Sequence, residues 1–298
     1  MNKFKQLALI GSTASGKTSL AIALAQQMNA YILSLDSLAV YKYIDIVSAK
    51  PTLKERADIE HFGIDVVYPN EAFDVTTFIK LYQEVYHKCL QNHKNLIIVG
   101  GTSFYLKMLL EGISDIPPIS QETKEKAKTY LQNIQKTYQW LYQKDPTYMS
   151  NIAKTDRYRI EKALSIYLET HDTPSAYFSK FPTLPTITEA LPIYQIIWDR
   201  ESLRKRIALR TSLMIENGLI DEVCQLEKEY SRTPKCMKSI GIKETLAYLD
   251  GIYDKTRLIE KISTNTARLA KRQNTFNHSQ FKDVIKGDIA QLESILLS

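Results

Sequence analysis

The 298-residue chain is poor in cysteine and contains no long apolar run. Its three cysteines, Cys89, Cys224 and Cys236, are far apart and form no Cys-x-x-Cys pair, which argues against a disulfide framework or a zinc site. No stretch approaches the roughly 18 apolar residues that a membrane-spanning helix needs. The apolar run at residues 7–10 ends at Gly11, too early for the apolar region of a secretory signal. We therefore expect a cytoplasmic protein without a membrane partner.

Charge is the next broad feature of the sequence. Lysine and arginine outnumber aspartate and glutamate by 39 to 33, a formal net charge of +6 at pH 7. Such an excess suits a polyanionic partner, although it also occurs in proteins without one. With 44% hydrophobic residues, the chain can bury a substantial core, as one large domain or as a core with an insert.

Short apolar runs alternate with helical patterns in the first half of the chain and again near residue 194. The apolar runs span residues 7–10, 31–35, 96–99 and 194–198, and the helical patterns between them span 18–28, 76–91 and 103–111. Alternation of short buried runs with helices is typical of a doubly wound α/β sheet. We therefore predict a P-loop NTPase-like α/β fold, in which helices flank a parallel sheet.

The composition changes after Asp115. The following stretch has no strand-like run, shows helical patterns at residues 121–144 and 156–170, and ends in prolines within 182–192. This pattern predicts an all-helical insert domain at 116–185. Residues 1–115 and 186–298 would then form the α/β core, and the pattern from Arg200 onward is again helical.

One segment matches the phosphate-binding pattern G-x-x-x-x-G-K-[ST] at every fixed position. It reads Gly11, Ser12, Thr13, Ala14, Ser15, Gly16, Lys17, Thr18. It follows a predicted strand and precedes a predicted helix, as such a loop requires. Backbone N–H groups and the helix N-terminus bind phosphate oxygens there, while Lys17 adds a positive charge and Thr18 a hydroxyl ligand for Mg²⁺. We predict a nucleotide-type (ATP-binding) phosphate loop with Mg²⁺ as cofactor.

The acid that most P-loop NTPases carry after a later strand is missing from its usual position. The strand predicted at 96–99 runs instead into Gly100, Gly101 and Thr102. Another acid, Asp36, follows the strand predicted at 31–35, and ligands of open α/β sheets bind at such carboxyl ends. Asp36 is therefore a candidate general base or metal ligand, and an acid that only caps the next turn would occupy the same position.

Two basic stretches follow in the C-terminal part. Arg206 and Arg210 are four residues apart, so they share a helical face that could clamp a phosphate. Arg268, Lys271 and Arg272 form a stripe in a stretch, 261–282, that contains no acidic residue. Such a stripe can follow a nucleic-acid backbone, or it can be a solvated helix face.

Six segments, in order and in approximate spacing, resemble the tRNA dimethylallyltransferase family, also known as the IPP transferase or tRNA isopentenyltransferase family. They read GSTASGKT, SLDSLAVYKYIDIVSAKP, NLIIVGGTSFYLKMLLEGI, RIALRTSLMIENGLIDEV, SIGIKETLAYLDG and TARLAKRQNTF. The resemblance extends from Lys5 to about Phe281. It implies transfer of a dimethylallyl group from dimethylallyl diphosphate to N6 of adenosine 37 in tRNA, with release of diphosphate.

The resemblance also implies roles for particular residues. Asp36 would be the catalytic base with Thr102 beside it, Arg210 would hold the diphosphate together with all eight residues of the phosphate loop, and Thr18 would bind Mg²⁺. The insert would contact the tRNA anticodon stem-loop, and the protein would be a monomer. The tRNA-binding residues implied by the resemblance are Asp36, Ser37, Leu38, Ala39, Tyr158, Arg159, Ile160, Glu161, Lys162, Lys238, Gly241, Lys243, Lys271, Arg272, Gln273 and Phe276.

Several residues depart from the family's usual pattern, including Ser12, Ile44, Val47 and Ser48, and three of the departures concern tRNA binding. Ala39 stands where a glutamine is common, so we do not expect the hydrogen bond to tRNA that the resemblance implies at this position. Phe276 and His278 stand where a tryptophan and an arginine are usual, so we expect stacking to persist and one phosphate contact to be weaker.

Two other classes of protein would use the same motifs. A small-molecule or nucleotide kinase would use the phosphate loop and a helical lid, but it leaves the basic C-terminal helix unexplained. A non-catalytic RNA-binding protein with a nucleotide switch would bind RNA without forming a covalent product.

Overall fold

The computed structural model describes residues 4–297. The chain divides into two compact units. One combines the residues up to Leu110 with those from Ile187 onward, and the other is Glu111–Thr186. The insert predicted at 116–185 falls inside the second unit.

Within residues 4–297, the first unit forms a six-stranded sheet with the spatial order β3-β2-β4-β1-β5-β6. The strands are β1 (Gln6–Gly11), β2 (Ala30–Leu35), β3 (His61–Phe62), β4 (Asn95–Gly100), β5 (Ile193–Ile196) and β6 (Ile285–Gly287). All neighbouring strands are parallel. The predicted fold class, a parallel sheet flanked by helices, is confirmed.

Helices connect the strands and extend beyond the sheet. In chain order they are α1 (Lys17–Met28), α2 (Leu53–Arg56), α3 (Val75–Gln91), α4 (Ser103–Glu111), α5 (Gln121–Tyr130), α6 (Ile134–Lys144), α7 (Pro146–Met149), α8 (Arg157–Thr170), α9 (Pro174–Lys180), α10 (Arg200–Glu216), α11 (Leu219–Tyr230), α12 (Ile242–Leu249), α13 (Lys255–Gln280) and α14 (Ile289–Leu297). No helix in the described part of the chain is both long enough and apolar enough to cross a membrane.

Hydrophobic layers cover both faces of the sheet. On one face, Phe78 of α3 and Leu106 of α4 pack against the strands. On the other face, Leu20 and Leu24 of α1 and Leu292 of α14 do the same. Strands that are buried on both faces are continuously apolar, which is why short apolar runs predicted them correctly.

A second core joins the loop after β2 to the C-terminal helices. Val40 and Ile44 of this loop pack with Leu219 of α11, Ile242 of α12 and Ile262 of α13. The residues that follow Asp36 are therefore held by helices from the far end of the chain.

The structure corrects several predicted elements. The strand predicted at 194–198 ends at Ile196. The helix predicted at 121–144 is two helices, because a 3-10 turn at Leu131–Asn133 intervenes and Asn133 caps α6. The short edge strands β3 and β6 were not predicted, since two or three residues carry no periodic pattern. Strand β6 also interrupts the helical pattern predicted from Arg200 onward.

The second unit has a hydrophobic core of its own. Leu131, Tyr138, Leu141, Ile160 and Leu164 are buried together among α5 to α8. This unit is all-helical over its described residues, as the composition predicted.

Candidate active site

Three loops meet where adjacent parallel strands end. Gly100 at the end of β4 pairs with Ile10 of β1 on one side and with Leu35 of β2 on the other. A Cβ atom at Gly100 would lie 2.4 Å from the carbonyl oxygen of Leu35, so this close approach of β4 to β2 requires glycine. Because Asp36 directly follows Leu35, the sheet places it beside the phosphate loop.

The phosphate loop turns sharply from β1 into α1. Gly16 has a φ of +89° and Ala14 one of +63°, both in the left-handed region that favours glycine. The side chain of Lys17 folds back over this turn. Its Nζ donates hydrogen bonds to the carbonyl oxygen of Ser12 at 2.6 Å and to Oγ of Ser15 at 3.3 Å.

Lys17 lies in an unusual electrostatic environment. Its side chain is almost fully buried, and this burial is the main cause that lowers the pKa of Lys17 to about 7. The positive charge of Arg210 lowers the pKa further, whereas the negative charge of Asp36 opposes the shift. A bound polyanion would raise the pKa again and hold the proton on Lys17.

Side chains from β5 onward hold the outer side of the loop. The indole N–H of Trp198 donates to the carbonyl oxygen of Ser15 at 2.9 Å, and Nε of Arg206 donates to that of Ala14 at 2.8 Å. The guanidinium group of Arg206 also stacks 4.5 Å from the ring centroid of Trp198. These bonds fix the orientation of two peptide groups in the loop. Sequence reasoning missed Trp198, because an apolar run gives no signal for an indole hydrogen bond.

Gln273 of α13 connects the phosphate loop to the end of β4. Its Oε1 accepts a hydrogen bond from the N–H of Thr13 at 2.9 Å, and its Nε2 donates to the carbonyl oxygen of Gly101 at 3.0 Å. A Cβ atom at Gly101 would lie 2.5 Å from that Nε2. Gln273, which the resemblance assigns to tRNA binding, thus contacts the phosphate loop, which it assigns to diphosphate binding.

Asp36 caps a turn and keeps a carboxylate oxygen free. Its Oδ1 accepts hydrogen bonds from the N–H groups of Leu38 at 2.8 Å and Ala39 at 3.1 Å. Its Oδ2 has no hydrogen-bond partner within residues 4–297. Beside it, Oγ1 of Thr102 accepts a hydrogen bond from the N–H of Ser37 at 3.2 Å. The capping and catalytic interpretations of Asp36 are therefore compatible.

Arg210 and Thr18 complete the polar groups around the loop. A guanidinium nitrogen of Arg210 lies 3.5 Å from Oγ1 of Thr13. Burial lowers the pKa of Arg210 and Asp36 raises it, but an arginine stays charged at neutral pH in either case. Thr18 is exposed at the first turn of α1. Its hydroxyl is a hard oxygen donor of the kind that Mg²⁺ prefers, and Mg²⁺ commonly takes its other ligands from water and substrate phosphates, so this position fits the ion without using Asp36.

An open cavity of about 1590 Å³ connects these groups. The predicted site residues that line it are residues 13–18, residues 36–39, Thr102, Arg210, Lys238, Gly241, Lys243, Arg272 and Gln273. Gly11 and Ser12 are buried at the base of the loop. Lys271 and Phe276 lie on α13 outside this lining.

Five of the predicted tRNA-binding residues lie on α8, in the second unit. Tyr158, Arg159, Glu161 and Lys162 are exposed, and Nζ of Lys162 lies 5.7 Å from the ring centroid of Tyr158. Ile160 differs from them, because its side chain is fully buried in the core of that unit. The Ile160 side chain thus packs α8 against its neighbours, and the assignment of Ile160 to tRNA binding stays a prediction.

A half-buried carboxylate, that of Glu222, holds the cavity wall that follows Ala39. Glu222 of α11 accepts hydrogen bonds at 2.7 to 3.0 Å from three consecutive backbone N–H groups, those of Asp45, Ile46 and Val47. Burial raises the pKa of Glu222, and the three donors act against this shift. Sequence reasoning did not identify Glu222, since an acid on an amphipathic helix carries no sign of a distant partner.

A family model described as IPP transferase matches residues 39–280. The chain belongs to the IPP transferase family. The resemblance and the enzyme class inferred from the sequence, a transferase, are thereby confirmed. A tRNA dimethylallyltransferase of Sulfurovum sp. (strain NBC37-1) is 63% identical over 293 residues, which cover 98% of this chain and 97% of that relative.

Solved structures agree with this membership of the IPP transferase family. The full-length tRNA isopentenylpyrophosphate transferase from Bacillus halodurans has a TM-score of 0.71 and 27% identity, covering 99% of this chain and 96% of its own. A eukaryotic dimethylallyltransferase acting on tRNA has a TM-score of 0.84 and 25% identity, covering 97% of this chain and 76% of its own. The kinase and nucleotide-switch alternatives therefore lose their support.

Proposed function

We propose that this IPP transferase moves a dimethylallyl group from dimethylallyl diphosphate to N6 of adenosine 37 in tRNA, giving N6-(dimethylallyl)adenosine and diphosphate. One observation supports the proposed chemistry most directly. Asp36, whose Oδ2 has no hydrogen-bond partner among the residues that the structure describes, lines the same cavity as the phosphate loop, Lys17 and Arg210. A base for the acceptor and a cationic site for the leaving group thus lie together.

The phosphate loop and Arg210 bind the diphosphate in this proposal. Loop N–H groups, the N-terminus of α1, Lys17 and Arg210 all stabilise negative charge that develops on the leaving group as the allylic C–O bond breaks. Lys17 would exchange its bonds to Ser12 and Ser15 for phosphate oxygens. Mg²⁺, held by Thr18 with Asp36 nearby, would neutralise further charge on the diphosphate.

Exposed leucines of α10 are suited to the hydrocarbon part of the donor. Leu209 and Leu213 are on consecutive turns, are 64% and 46% exposed, and line the cavity together with Met214. Covering the five-carbon chain would remove this apolar surface from water. It would also keep water away from the allylic carbon, where attack would hydrolyse the donor.

Asp36 acts on the acceptor in this proposal. The adenine amino group is a weak nucleophile, so it must lose a proton as the new N6–C bond forms, and Oδ2 of Asp36 accepts that proton. The diphosphate leaves with the electron pair of the broken C–O bond. Since N6 is inaccessible in a stacked loop, adenosine 37 must turn out of the stack to reach Asp36.

The same cavity carries cationic groups suited to the tRNA. Lys238, Lys243 and Arg272 are exposed and line it. They would bind backbone phosphates, so tRNA affinity should decrease steeply with salt.

The test is a product analysis. The purified protein is incubated with Mg²⁺, dimethylallyl diphosphate and unmodified tRNA, and the RNA is digested and analysed by mass spectrometry. We expect an adenosine heavier by one dimethylallyl group, and a tRNA with another base at position 37 should gain none. Absence of this nucleoside from the wild-type reaction would overturn the proposal.

A further inference from the structure

A second cleft, of about 550 Å³, lies along α12 and α13. We name it the α13 cleft, and it is lined by Lys243, Glu244, Tyr253, Arg257, Glu260, Lys261, Thr264, Asn265 and Arg268. Four of these nine residues are cationic and two are acidic. None of the roles assigned above uses Tyr253, Arg257 or Lys261, and Arg268 has appeared only in the basic stripe of the sequence.

The acidic residues of the cleft are already engaged. Glu260 pairs with Arg257 at 2.6 Å. Glu244 is 4% exposed, and its two oxygens accept hydrogen bonds from Gly241 N–H at 2.8 Å and from Nδ2 of Asn265 at 2.7 Å. Its carboxylate also lies 3.7 Å from Nζ of Lys243.

Two cations of the cleft therefore lack a carboxylate partner. Neither Lys261 nor Arg268 forms an ion pair within residues 4–297. Arg268 donates to Oδ1 of Asn265 at 3.3 Å, and Nζ of Lys261 lies 5.9 Å from the ring centroid of Tyr253. Their positive charge is available for an anionic partner.

The spacing of the cations favours a linear partner. Arg257, Lys261 and Arg268 are at i, i+4 and i+11, which places them on one face of α13. They extend over about 16 Å at the rise of an α-helix. A polyanion with charges along its length matches such a stripe better than a compact anion does.

The cleft is continuous with the candidate active site. Lys243 lines both cavities. On α13, Arg268 of the cleft is followed one turn later by Arg272, which lines the active-site cavity. A strand that enters the cavity near Lys243 can therefore continue along α13 without a gap in positive charge.

We propose that the α13 cleft binds the phosphate backbone of the tRNA strand that leaves the active-site cavity, with Lys261 and Arg268 as the phosphate contacts. This inference rests on the proposed function, since tRNA is its ligand. The cleft sets affinity for tRNA and takes no part in the chemistry.

The experiment compares K261Q/R268Q with wild type. Binding of unmodified tRNA is measured over a range of salt concentrations, and KM and kcat are measured for tRNA and donor. The matched control, K80Q/K255Q, removes two charges from exposed residues of α3 and α13 that line neither cavity.

We expect K261Q/R268Q to weaken tRNA binding about tenfold and to reduce the slope of log affinity against log salt by about 1.4, at roughly 0.7 per phosphate contact. The kcat at saturating tRNA and the KM for donor should stay at wild-type values. The inference is overturned if the variant binds tRNA like K80Q/K255Q, or if kcat decreases while tRNA affinity is unchanged. It is also overturned if inorganic triphosphate raises the Tm of wild type but not of K261Q/R268Q, while the two proteins bind tRNA with equal affinity.

Failure of this inference is distinguishable from failure of the proposed function. tRNA binding is measured without donor, so it reports on the cleft even if wild type forms no prenylated adenosine. If wild type does form the product, the proposed function stands whatever the variant does.

Discussion

The side-chain oxygen of Gln273 accepts the backbone N–H of Thr13 at 2.9 Å, across 260 residues of sequence. This bond links α13, which carries several of the proposed tRNA contacts, to the loop proposed to hold the diphosphate. The other end of the same amide is bound to Gly101 at the end of β4. One side chain thus contacts the structural elements proposed for both substrates.

Substitution of Gln273 tests how close the diphosphate comes to Thr13. Gln273→Glu should weaken diphosphate binding roughly tenfold or more, because it places a negative charge beside the phosphate loop. Gln273→Met removes the bond to Thr13 without adding charge, and should leave diphosphate binding unchanged or tighter. Calorimetric titration with diphosphate measures both variants. Equal affinities for Gln273→Glu and wild type would place the diphosphate away from Thr13.

The role of Asp36 is tested by Asp36→Asn. The amide oxygen can still accept the bonds of Leu38 and Ala39, so the turn should persist while the base is lost. We expect the rate of transfer to decrease by roughly 10²- to 10⁴-fold. Diphosphate binding should be intact or slightly tighter, since a negative charge is removed near Lys17 and Arg210. Near-normal turnover in single-turnover assays would contradict the assignment.

The low pKa of Lys17 predicts proton uptake on binding. At pH 8 the amine is mostly neutral in the free protein, because its pKa is about 7, and a bound diphosphate should restore the proton. Affinity should therefore decrease as pH rises above 7, by up to about tenfold per pH unit. Calorimetry in two buffers of different ionisation enthalpy measures the uptake. In Lys17→Met, any proton uptake comes from the diphosphate alone. Equal proton uptake by Lys17→Met and wild type would refute the prediction.

The close approach at Gly100 predicts a loss of stability in Gly100→Ala. The new Cβ would lie 2.4 Å from the carbonyl oxygen of Leu35, so β2 and β4 must separate where Asp36 begins. We expect a cost of about 1 to 3 kcal/mol, and a lower Tm together with reduced transfer. Gly251→Ala is the control, since a Cβ there meets no atom within 4 Å and only the left-handed φ is strained. Equal Tm values for the two variants would exclude this steric role.

Local patterns in the sequence predicted a large part of this protein. The continuous apolar runs of β1, β2 and β4 indicated buried parallel strands, and the spacing of Gly11, Gly16 and Lys17 indicated the phosphate loop. The position of Asp36 after β2 was predictable because parallel strands bring their carboxyl ends to one edge of a sheet. Each of these features depends on residues that are close together in the chain.

Other features depend on packing between distant residues. The bonds from Trp198 to Ser15, from Gln273 to Thr13 and from Glu222 to residues 45–47 each join parts of the chain more than 170 residues apart. The burial of Ile160 follows from how α8 packs against its neighbours. A sequence pattern that repeats every few residues indicates the local conformation of each helix or strand. Which side chains meet across the fold depends on how the helices dock, and that is why these contacts appeared only in the folded structure.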